Sequence, residues 1–148
     1  MIRALHPIAG LAAFLIILTF WTSTAAVEIV GDPAAILAVK TGILWGMLAL
    51  IPAMALVGAS GFRLGGKSRH PRILAKKKRM PVIALNGLLV LVPSAFFLQA
   101  RAAAGDLSGA FVLVQGLELA AGAANLALIG LSIRDGLSFR RKARPHPA

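Results

Sequence analysis

Four long apolar blocks, each bounded by charge, Pro or Gly, dictate what this chain can become. They run from about Ile8 to Val27, Ala34 to Gly58, Met80 to Ala100 and Leu107 to Ile133. A helix rises about 1.5 Å per residue, so about 20 residues cross the ~30 Å hydrocarbon core of a bilayer. Every block is long enough. No water at the bilayer centre satisfies backbone N–H and C=O groups, so the spans must be helices or a closed barrel. Barrel strands alternate polar and apolar positions over about 10 residues, a pattern these blocks lack. The expected fold class is an all-α integral membrane protein. Composition agrees: 58% of the 148 residues are hydrophobic and 14% charged, against about 25% charged in a soluble domain.

The placement of Lys and Arg predicts an orientation. Segment 59–79 carries Arg63, Lys67, Arg69, Arg72, Lys76, Lys77, Lys78 and Arg79 with no acid. After the fourth block come Arg134, Arg140, Arg141, Lys142 and Arg144 against Asp135, and Arg3 precedes the first. The opposite flanks hold Arg101 among Glu28, Asp32 and Asp106. Basic flanks stay in the cytoplasm, which puts fourteen of the 16 basic residues and both termini inside and leaves Lys40 within a span. Short connections at 28–33 and 101–106 make successive helices antiparallel neighbours. A four-helix up-down-up-down transmembrane bundle is expected over residues 1–134, with a basic cytoplasmic loop at 59–79 and a disordered basic tail at 135–148. The expected location is a bacterial-type inner membrane.

The first block also fits the outline of a secretory signal peptide, with Ser23-Thr24-Ala25 as a cleavage site. Its apolar run exceeds the roughly 7–15 residues of such a region. Trp21, near the outer end, suits the interfacial anchor of a retained span.

Several activities find no support. The chain has no cysteine, so it forms no disulfide, thiolate metal site or Cys-linked haem. The net charge of +11 lies beside membrane segments, where topology explains it without nucleic acid. Gly61-Phe62-Arg63-Leu64-Gly65-Gly66-Lys67-Ser68 spells a P-loop, but that loop works between a strand and a helix N-terminus. Here a membrane block precedes it and Arg69-His70-Pro71 follows, so no nucleotide is expected. Lys76, Lys77, Lys78 and Arg79 are expected to meet anionic lipid headgroups, at roughly 1 kcal/mol per charge.

Polar residues at membrane depth are costly and often functional. Glu118 lies near the middle of the fourth block, and Lys40 about 9 Å below the outer end of the second by helix rise. The Lys40 stem either snorkels outward or reaches Glu118 as an ion pair. Gln115, Glu118, Gly122 and Asn125 recur at offsets of three and four, so they share one face that should point into the bundle. Asn86 and Asn125 lie at similar depth, which predicts an interhelical clasp. His6 and His70 fall on the same side, where a bis-His haem b is conceivable; no other residues suggest a cofactor.

Gly42-xxx-Gly46 and the small residues Gly116, Ala120, Ala123, Ala124 and Ala127 permit close helix approach, with packing inside the bundle the simpler expectation. Pro52 and Pro93 predict kinks. With no nucleophile–base arrangement, the leading functional expectation is a non-enzymatic accessory or assembly subunit that acts through helix packing on other membrane subunits or itself. A redox module binding haem b or a quinone, and a small proton-linked transporter, are the alternatives.

Overall fold

The computed structural model describes residues 2–66 and 71–142. Helix α1 covers Ile2–Val30 and α2 covers Pro33–Gly65. A two-residue turn joins them. Gly31 takes φ 73°, a left-handed conformation open to glycine without a Cβ clash, and its amide donates to Val27 O at 2.9 Å. Asp32 then caps α2, its carboxylate accepting from the Ala34 and Ala35 amides at 3.2 Å each. Pro33 occupies the first helical position, where its missing N–H is harmless.

The third span has three parts: α3 (Pro71–Asn86), one π-helical turn (Gly87–Leu91) and α4 (Val92–Ala103). The Val92 amide bonds the Gly87 carbonyl, one residue farther back than α-geometry requires. Pro93 accounts for this. It has no N–H for the Leu89 carbonyl and its ring would press against it, and a wider turn absorbs the clash. Pro52 sits inside an uninterrupted α2. After Gly105, at φ 70°, α5 covers Gly109–Lys142.

Leu5–Val30, Pro33–Leu64, Ile73–Ala103 and Gly109–Leu137 are long and apolar enough to cross a membrane, and no strand occurs among the described residues. The helices exceed the apolar blocks at the basic end. Residues 59–65 continue α2, 71–79 begin α3 and 135–142 extend α5, where the sequence suggested loop and tail. Lys and Arg are good helix formers, and their aliphatic stems lie along apolar surface while the heads reach water, so charge marks the membrane boundary without ending the helix.

Helix α1 packs on α2 and α5, α4 on α2 and α5, and α3 on α5; α2 touches α3 least of all the packed pairs. Ile36, Leu98, Ala102 and Phe111 form a closed core at the end with the two short turns. Ile43, Met47 and Ala95 form the next cluster, and Ile17, Ile83 and Ile129 the third. One glycine of the Gly42/Gly46 pair is used: a Cβ on Gly46 would lie 2.4 Å from Phe20 Cζ, whereas Gly42 faces open space. The small residues of α5 correct an expectation. Gly116, Ala120, Ala123, Ala124 and Ala127 are all exposed on the outside of the bundle, because the polar stripe of the same helix claims the interior.

Candidate functional site

The interior polar groups are built around α5. Lys40 reaches inward from α2, only 1% exposed, and its Nζ donates to Glu118 Oε2 at 2.6 Å. Gln115 Nε2 donates to the same oxygen at 3.2 Å. The ammonium does not snorkel, because a carboxylate within reach offsets a desolvation that would otherwise cost several kcal/mol per ion. Glu118 Oε1 takes no hydrogen bond from the described residues. Glu28 Oε1 and Gln115 Oε1 are buried without hydrogen-bond partners among them.

About two helical turns along α5 from Glu118, Asn86 Nδ2 donates to Asn125 Oδ1 and to the Ala121 carbonyl, both at 2.9 Å. Asn125 Nδ2 returns a bond to the Ile83 carbonyl at 3.4 Å. This clasp ties α3 to α5 where lipid gives no hydrophobic drive for association. The four stripe residues thus face inward together. Gly122 makes room for Trp21: a Cβ there would stand 3.0 Å from Trp21 Cδ1, and the indole Nε1 donates to the Leu119 carbonyl at 2.9 Å. Trp21 is therefore no interfacial anchor. Its N–H finds a partner on α5, so the ring lies inside. Trp45, 71% exposed, faces outward.

Beside this polar line lies an apolar slot of about 420 Å³, within the range of roughly 300–1,000 Å³ typical of ligand pockets. Along α2 its wall extends from Ile43 to Gly58, about 22 Å by helix rise. Phe20, Trp21 and Thr24 of α1 and Glu118, Gly122 and Asn125 of α5 form the back. On the third span the wall runs from Met80 through Gly87 to Ala95. The slot opens sideways between α2 and the stretch formed by α3 and the π-helical turn, where the lining residues Ile51 and Leu88 are 50% and 60% exposed. The π-helical turn lies on this wall. Sequence reasoning missed the slot, although four of its lining residues, Ala55, Gly58, Ala84 and Gly87, are small.

The basic end gathers another group. His6 Nδ1 is 2.8 Å from Ser60 Oγ, and Lys76 Nζ is 3.1 Å from His6 Nε2. An ammonium only donates, so His6 carries its proton on Nδ1 and donates to Ser60, whose hydroxyl donates to the Leu56 carbonyl. Both ring nitrogens of His6 are engaged. His70, the other half of the conceivable haem pair, lies outside the described residues, as do Lys67 and Ser68 of the P-loop-like stretch. Gly61–Gly65 of that stretch belongs to α2. Lys77 donates to the Gly66 carbonyl, Arg79 pairs with Asp135 at 2.7 Å, and Lys78 is exposed.

At the opposite end, Arg101 in the last turn of α4 pairs with Asp106, which lies between the third and fourth spans, at 2.6 Å and donates to Ser108 Oγ at 3.1 Å. Hydrogen bonds from the Ser108 side chain and amide, with Arg101 alongside, hold the Asp106 carboxyl below its ordinary value. No known protein family, curated protein or solved structure matches the chain, so function must be argued from these groups.

Proposed function

We propose that this is a small multi-pass protein of a bacterial-type inner membrane, with both termini and the basic end cytoplasmic, that binds a hydrocarbon chain of a lipid-soluble molecule. One observation carries the reading: the apolar slot at membrane depth, with its mouth on the lipid-facing seam between α2 and the third span. The nearby polar groups support it. Lys40 with Glu118, and Asn86 with Asn125, bind each other, so the slot presents hydrocarbon rather than charge. An acyl or isoprenoid chain suits that lining, and the tail of a quinone belongs to the same class. The reading assigns no catalysis.

Native mass spectrometry of protein released from micelles tests it. Wild type retains an adduct of lipid mass, and Gly58→Phe, which places a ring in the slot where no atom lies within 4 Å of a Cβ, loses the adduct. An adduct unaffected by Gly58→Phe would overturn the reading.

A second reading, an accessory subunit acting through helix packing, is favoured by the outward small-residue face of α5. Gly116 and Ala120 there let another helix approach closely. Ala120→Leu abolishes co-purification of a partner, or self-association, if this face is an interface.

A further inference from the structure

We propose that the slot's occupant is an anionic amphiphile whose phosphate or carboxylate headgroup is bound at the His6–Ser60–Lys76 cluster, with its chain in the slot; this rests on the chain-binding reading above. Four observations converge. First, the cluster adjoins the slot. Met80 lines the slot, and a Cβ on Gly61 would lie 3.7 Å from Met80 Cε and 3.2 Å from His6 Cε1. Second, Lys76 precedes Met80 by four residues on α3, about 6 Å of helix rise, which is where the head of a slot-bound chain emerges.

Third, this end holds a single side-chain carboxylate, Asp135, among many basic residues. Lys76 is held by a neutral imidazole. Among the described residues no carboxylate lies within ion-pair distance of Lys76, Lys77 or Lys78, while Asp135 is engaged by Arg79 and Arg134. A phosphate or carboxylate beside the Lys76 ammonium would form charge-assisted hydrogen bonds where basic residues already attract anionic headgroups. Fourth, the other end of the slot is shut. Ile36, Leu98 and Phe111 close the bundle beyond it, and Lys40 there is already paired with Glu118. A headgroup too polar for the slot has only the basic end.

The chain supplies its own reporter. Trp21 lines the slot and Trp45 faces outward, and they are the only tryptophans. Trp45→Phe leaves Trp21 alone, and Trp21→Phe leaves Trp45. Each is reconstituted in phosphatidylcholine vesicles containing a small fraction of brominated-chain phosphatidylglycerol or, separately, brominated-chain phosphatidylcholine, and fluorescence quenching is compared.

Trp21 is expected to be quenched by the anionic lipid at about fivefold lower mole fraction than by the zwitterionic one. Trp45 shows no such preference. Lys76→Gln removes the preference at Trp21 while retaining quenching by phosphatidylcholine, which shows that the fold survives; Lys76→Arg and the exposed-site control Lys78→Gln keep it. Equal quenching of Trp21 by the two lipids overturns the headgroup assignment and leaves the slot reading standing. Failure of either lipid to quench Trp21, or quenching unchanged in Gly58→Phe, overturns the slot reading itself. Reversal of the preference by millimolar inorganic phosphate overturns the lipid assignment in favour of a free anion.

Discussion

Near the short turns, Ile36, Leu98 and Phe111 are almost wholly buried, Phe20 fills the space above Gly46, and Lys40 is paired with Glu118. Across the seam between α2 and the third span toward the basic end, the packing is loose: Ile51 and Leu88 stay half-exposed over an apolar slot, and Gly58 faces open space. Helix α2 and the third span thus contribute to both a closed and an open region. In water an apolar gap would be costly. In a bilayer a lipid chain is as apolar as leucine, so a bundle can leave hydrocarbon surface to its solvent provided its polar groups are satisfied internally. The asymmetry is one of side-chain size: large residues near the short turns close the bundle, and the small residues Ala55, Gly58, Ala84 and Gly87 leave α2 and the third span apart.

The contrast breaks most sharply at the ion pair. Lys40→Met or Glu118→Gln leaves a charge buried without its partner, and each is expected to destabilise by about 3 kcal/mol or more. The double variant recovers much of the loss, since an apolar replacement of a buried pair is often neutral. Thermal or denaturant unfolding in detergent across the full mutant cycle measures the coupling; a coupling energy of zero removes the pair from the closed region's account.

The next test places the same side chain on α2 in both regions. Gly46→Leu forces Phe20 out of a tight contact and is expected to cost about 1–3 kcal/mol by overpacking. Gly58→Leu meets nothing within 4 Å and gains helix propensity of up to ~1 kcal/mol, so it is neutral or mildly stabilising. Equal losses at the two positions would show that the slot is packed as firmly as the rest.

The smallest effect lies outside both regions. Asp106 has its folded pKa lowered by the Ser108 hydrogen bonds and Arg101. Its contribution is therefore present above its ordinary value of 3.8 and is lost as pH falls through the lower folded value. Asp106→Asn should melt slightly below wild type at pH 6, and the two should converge as pH falls through that lowered folded value. The carboxyl is solvent-screened, so a large difference would mean that the turn bears on the packed core.

Much of the interior was legible because depth and face are simple functions of residue number in a helix. Rise per residue placed Asn86 level with Asn125 and put Glu118 within reach of Lys40; offsets of three and four put the stripe on one side. The same arithmetic misjudged Trp21, whose distance along α1 indicated an interface although its ring turns toward Gly122. Depth says nothing about which way a side chain points. Likewise, Gly116 and Ala120 carried a signal for close approach but none for the partner.

By itself, then, the sequence determined the four apolar helices, the inward polar stripe and the gathering of basic residues at one end, since these follow from hydropathy, helical periodicity and charge. Only the tertiary structure decided that the small face of α5 looks outward, that a π-helical turn accommodates Pro93, that His6 bridges Ser60 and Lys76, and that α2 and the third span leave a slot between them. Each of these depends on the joint shape of segments as far apart in the chain as Phe20, Gly58, Gly87 and Asn125, and a void has no residue of its own to announce it.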